Sequence, residues 1–165
     1  MLFRSVCRAA GVSTPLLQHY FGSKRRFFVA VVTEAVGELT KATRPAKPGK
    51  GLIHLDENLF AFFTFMREHP SAAAIVRGDF GSGDAEVQEL FQAYRDVTFD
   101  LVVFSLGVES ASPELNAAIR CWIGINETLV HQLLENAALS IDWATKFSRR
   151  SLVAMVDHVA VTTTV

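Results

Sequence analysis

Gly11 places the tightest constraint on this chain. It lies in the stretch from Val6 to Lys24, VCRAAGVSTPLLQHYFGSK, between two short helical patterns. Val6, Ala9 and Ala10 form one apolar stripe, and Leu17 and Phe21 form another at i and i+4. Glycine suits a corner that needs positive φ. Ala9 and Ala10 are small enough to let a second helix approach, and Val12 plugs the corner. Ser13 is a good N-cap, and Pro15 falls in the first turn, where its missing N–H costs little. The stretch therefore predicts a helix, a tight turn and a second helix of about two turns.

Turning the second helix by roughly 100° per residue sorts its faces. Leu17 and Phe21 point inward, while Pro15, Leu16 and His19 point away. Gln18 and Tyr20 lie on the flanks, and Ser13 and Thr14 sit at the N-terminal tip, the end that meets base edges in a helix-turn-helix. Lys24, Arg25 and Arg26 then open the next helix. Three cations there oppose the helix dipole by about 0.3–1 kcal/mol each, which phosphate contact would offset. Residues 1–33 carry five Lys/Arg and no Asp/Glu, against eleven and seventeen in the remainder. A basic head on an acidic body is the charge pattern of nucleic-acid binding.

AAGVS followed by the aromatic-rich QHYFGSK and an apolar helix resembles the DNA-binding domain of the TetR/AcrR family of bacterial transcription regulators. Ala10, Gly11, Val12, Ser13, Phe21, Ser23 and Lys24 match that family's pattern. Gln18 replaces its usual tyrosine, and Pro15 and Leu16 replace small or hydroxyl residues. The resemblance implies an all-α protein that binds a double-stranded DNA operator. Ser13, Thr14, Pro15, Leu16, Gln18, His19, Tyr20 and Lys24 are the expected DNA-facing residues. The family's first helix would precede Leu2, so the expectation is a start upstream of Met1 or a truncated product, with weakened DNA binding in the 1–165 form.

Beyond the motif, the chain reads as consecutive helices. Ser23 to Thr43 is apolar along Phe28, Val31, Val32, Ala35, Val36 and Leu39. The Pro- and Gly-rich segment 44–51 marks a boundary between a reading head, 1–43, and a helical body, 44–165. Leu52 to His69 is apolar over much of its surface and ends at Pro70. A short helix is expected over 71–77 and a loop over 78–83. Further helices are expected from Asp84 to Leu106, from Ser112 to Asn136 and from Asp142 to Ala160, with Gly107 and the Ser112-Pro113-Glu114 cap as punctuation. The chain has 165 residues, half of them hydrophobic, enough for a substantial core. Cys7 and Cys121 are expected as buried free thiols in a reducing cytoplasm. The chain opens without a signal peptide pattern, and no apolar run reaches transmembrane length.

The last two long helices exceed the needs of a single core and carry Ala117, Ala118, Gly124 and Ala154 among large residues. They are expected to form a homodimer through a four-helix bundle, because a twofold dimer reads two half-sites about one DNA turn apart. The resemblance also implies a cavity in the body for a small effector. Aromatic walls (Phe60, Phe63, Trp122) and sparse polar groups (His54, Arg95, Asn126, His131) suggest a hydrophobic effector. Asn126 and His131 rank first because they interrupt an apolar helix.

Other chemistry finds little support. His54, Asp56 and Glu57 are poorly spaced for metal on a helix. Asp79-Phe80-Gly81 lacks a kinase context, and its neighbouring glycines lack the Lys-Ser/Thr pair of a phosphate loop. No nucleophile–base pair, carboxylate pair or cofactor loop occurs, so no catalytic residue, cofactor or metal is assigned. The favoured reading is a cytoplasmic repressor released from its operator by a small hydrophobic molecule. The alternative is a truncated, regulator-like dimer without DNA binding that serves as a small-molecule or protein binder.

Overall fold

The computed structural model describes residues 7–8, 10–43, 51–70, 72–73 and 84–162. Its elements are six helices: α1 Thr14–Phe21, α2 Lys24–Thr43, α3 Leu52–Glu68, α4 Ala85–Leu106, α5 Pro113–Glu135 and α6 Ile141–Thr162. No strand occurs among the described residues. The chain is all-α, as its periodicity predicts.

Local chemistry sets the helix ends. Gly11 adopts φ +66°, and the Val12 N–H reaches back to the Cys7 carbonyl at 3.0 Å. Ser13 is extended, and its hydroxyl accepts from the Leu16 N–H at 3.3 Å. Ser23 repeats the device for α2, accepting from the Arg26 N–H at 3.2 Å. Asp84 and Ser112 cap α4 and α5. Gly107 ends α4 in the left-handed region, donating to the Phe104 carbonyl. His69 closes α3, its ring stacked on Phe65 and its Nδ1 2.9 Å from the Phe65 carbonyl. One boundary shifts. The last helix begins at Ile141, one residue before Asp142, because the Ser140 hydroxyl accepts from the Trp143 N–H. The segments expected over 44–51, 71–77 and 78–83 lie mostly outside the described residues.

Two clusters form the interior. The larger joins α3, α5 and α6 with parts of α2 and α4, around Phe63, Met66, Ile119, Trp122, Val130 and Leu152. A lock between α5 and α6 runs through it. The Trp122 Nε1–H donates to the Ser148 carbonyl at 2.8 Å, the Ser148 hydroxyl to Asn126 Oδ1 at 2.5 Å, and Asn126 Nδ2 to the Trp122 carbonyl at 2.9 Å. Buried polar groups thus satisfy one another. The smaller cluster, Val29, Val32 and Val87 with Phe28, Val36, Leu90 and Phe91, joins α2 to the first half of α4. Helix α1 packs on α2. Helix α1 is therefore joined to the remaining helices through α2, which itself packs against α3 and α4.

Cys7 is buried as expected, whereas Cys121, also expected to be buried, is exposed. Trp122 turns into the core, and its neighbour one residue back is rotated by about 100° to the outer face.

Candidate nucleic-acid interface and ligand cavity

Helix α1 presents the face that its periodicity predicts. Leu17 is buried and Phe21 is half-buried, its ring edge-on to Phe27 at 5.1 Å. Ser13, Pro15, Leu16, Gln18, His19, Tyr20 and Lys24 are exposed and Thr14 is half-buried. Leu16 and Tyr20 are large apolar side chains left 44% and 75% exposed. His19 meets Tyr20 edge-on at 5.8 Å. These exposed side chains lie beside the cations of the α2 start.

The basic cluster differs from expectation at one position. Arg25 is engaged by acids of α4: Nε lies 2.7 Å from Asp84 Oδ2, and Nη2 lies 3.0 Å from both Asp84 Oδ1 and Glu86 Oε2. The guanidinium holds the Asp84 carboxyl below the usual carboxylate range, chiefly through the hydrogen bond, and Arg25 is raised in turn. The adverse dipole at the α2 start is therefore partly offset from within the protein as well.

A cavity of about 70 Å³ opens between α2, α3, α4 and α5. Its walls are Thr43 of α2; Leu55, Asn58, Leu59 and Phe62 of α3; Tyr94, Thr98, Leu101 and Val102 of α4; and Trp122, Ile123, Asn126 and Glu127 of α5. The α3 set follows the spacing i, i+3, i+4, i+7 and the α4 set i, i+4, i+7, i+8, each one face of a helix. The space is far below the roughly 300–1,000 Å³ of a drug-sized site.

Of the seven residues expected around a ligand, Trp122 and Asn126 line this cavity. Phe60 lies on the outer side of α3 and is 50% exposed, and Phe63 is fully buried in the main core. Each is one residue beyond a cavity-lining position (Leu59, Phe62) and so rotated about 100° off that row. Arg95 stands behind the wall, its Nε 2.7 Å from Glu127 Oε1. His131 lies one turn past Glu127, its Nε2 3.1 Å from Glu135 Oε2. His54 likewise lies 3.6 Å from Glu57, and no metal-binding cluster occurs among the described residues.

Sequence reasoning missed Asn58, Tyr94, Thr98 and Glu127. The available signal was a polar residue within an apolar row: Asn58 sits at i+3 from Leu55 and four before Phe62. Burial among apolar neighbours pushes the Tyr94 hydroxyl up to about 12, against a smaller lowering by hydrogen bonds with Thr98 and Thr43. Tyr94 thus stays neutral across the physiological range.

No family profile and no curated protein matches the chain. A crystal structure of a TetR-family transcriptional regulator from Streptomyces coelicolor superposes on 98% of this chain and 72% of its own, with TM-score 0.79 and 21% sequence identity. That likeness shows a shared fold.

Proposed function

We propose that the chain is a ligand-responsive DNA-binding transcriptional regulator of the TetR type. It represses from an operator and is released by a small hydrophobic molecule. One observation carries the reading: α4 walls the cavity with Tyr94, Thr98, Leu101 and Val102 and, through Asp84, grips Arg25 beside the exposed face of α1. An occupant that displaces α4 thereby acts on the head, the differential contact a ligand switch requires. The head is residues 1–43 and the body 44–165. Ser13, Thr14, Pro15, Leu16, Gln18, His19, Tyr20 and Lys24 face DNA. Among the described residues no helix is long and apolar enough to cross a membrane, and the protein acts in the cytoplasm without enzymatic chemistry. The working form is a homodimer through α5 and α6. Its support is the exposed, stacked pair Trp143 and Phe147, with ring centroids 5.2 Å apart, and the small exposed residues Ala117 and Cys121.

The test is a mobility shift with the gene's own upstream DNA over a salt series. Affinity should fall steeply with salt. Lys24→Ala should weaken binding to all sequences, and His19→Ala should weaken the operator preferentially. Unchanged affinity in both variants would refute the interface. The second reading, a dimer that does not bind DNA, draws on the engagement of Arg25 by Asp84 and Glu86. Absence of any shift at low salt would favour it.

A further inference from the structure

We infer that the cavity selects an uncharged, mainly apolar molecule bearing one hydrogen-bond acceptor, such as a ketone or ester carbonyl, and that Asn58 Nδ2 donates to that acceptor. The inference rests on reading the cavity as the effector site.

Asn58 is only 9% exposed, and its Nδ2 has no hydrogen-bond partner among the described residues. A buried donor left unpaired is costly, and native interiors hold few of them. Asn58 belongs to the cavity wall. Four other polar side chains there are engaged. Asn126 donates to the Trp122 carbonyl and accepts from Ser148. The Thr43 and Thr98 hydroxyls donate to the carbonyls of Leu39 and Tyr94. Glu127 holds Arg95. Burial holds the Tyr94 hydroxyl neutral, with a smaller opposing effect of the Thr98 and Thr43 side chains.

Charge narrows the class. Among the described residues no cationic side chain lines the cavity, and the carboxylate that does, Glu127, already has its counter-ion. An anion would approach Glu127 without a partner, and a cation would compete with Arg95. Burying an unpaired charge among Leu55, Leu59 and Leu101 is strongly unfavourable. A neutral molecule with one acceptor satisfies Asn58 and leaves every existing pair intact.

Cyclopentanone and methylenecyclopentane are near-isosteres differing in C=O against C=CH2, and cyclopentanecarboxylate supplies the anion. Each is titrated into the full 165-residue chain by NMR, following the Asn58 side-chain amide. The ketone should shift that amide and methylenecyclopentane should not. The ratio of ketone to alkene affinity should fall about tenfold in Asn58→Leu, the scale of a hydrogen bond to a buried donor. Using the ratio removes the different hydration of the two probes. An unshifted amide, an unchanged ratio or preference for the carboxylate would overturn the acceptor assignment while leaving the cavity as a binding site. Failure of both neutral probes to bind would overturn the effector site and this inference together. Should Asn58→Leu fail to fold, the wild-type amide shift still decides.

Discussion

Arg25 clasps Asp84 with two hydrogen bonds, Nε to Oδ2 at 2.7 Å and Nη2 to Oδ1 at 3.0 Å, across 59 residues of sequence. The same carboxylate caps α4, Oδ1 accepting from the Glu86 N–H at 3.1 Å. One side chain thus joins the start of α2, next to the exposed face of α1, to the start of the helix that walls the cavity.

Releasing Arg25 should alter DNA binding. Asp84→Asn retains a good cap but removes the charge, and Glu86→Gln removes the second partner. The double variant should bind DNA more tightly at low salt, and its log affinity against log salt should steepen by about 0.9, the increment for one added phosphate contact. Effector release should weaken with it, since α4 and the head lose their tie. An unchanged slope would mean that Arg25 cannot reach phosphate.

The clasp also sets a pH dependence. The Asp84 carboxyl is lowered when folded. Its contribution is present above the ordinary carboxylate value of about 4 and is lost as pH falls through the folded value. An NMR titration of the Asp84 side-chain carbon should therefore move only at lower pH than an ordinary aspartate, and Arg25→Gln should return it to the ordinary range.

Tyr94 predicts the opposite limb. Its folded value of about 12 exceeds the ordinary tyrosine value of about 10. The associated stability is complete below about 10 and lost as pH rises towards 12. In a Tyr20→Phe background, tyrosinate absorbance should report Tyr94 alone, appearing only near the upper value. Titration at the ordinary value would show that the cavity floor is wet.

The lock between α5 and α6 should be energetically coupled. Ser148→Ala leaves Asn126 Oδ1 without its donor at a buried site, at a cost of about 1–3 kcal/mol. Denaturant unfolding of the double variant Asn126→Leu/Ser148→Ala should fall short of the sum of the single losses. Strict additivity would mean that the hydrogen bond contributes little.

Gly124 tests the dimer. A Cβ built there meets nothing within 4 Å, so Gly124→Ala should be neutral or gain up to about 1 kcal/mol of helix propensity. Gly124→Trp should leave far-ultraviolet circular dichroism unchanged yet lower the mass measured by light scattering to that of one chain. A dimer that survives Gly124→Trp places the interface elsewhere.

What the sequence alone determined is local. Gly11, Ser13 and Pro15 announce the turn, and Asp84, Gly107 and Ser112 announce helix ends, because capping and left-handed turns depend on atoms within four residues of one another. The outward face of α1 was legible for the same reason, since a single periodicity relates its side chains. Phe60 and Phe63 show the limit. Both belong to an apolar helix, and only the packing of α3 against α4, α5 and α6 decides that one meets solvent, the other the core, and Asn58 the cavity. The Arg25–Asp84 clasp is of the same kind. Its partners are distant in sequence and carry charges that could equally have met water, so only the tertiary arrangement of α2 and α4 turns one of a run of surface cations into a tie between the start of α2 and the helix that walls the cavity.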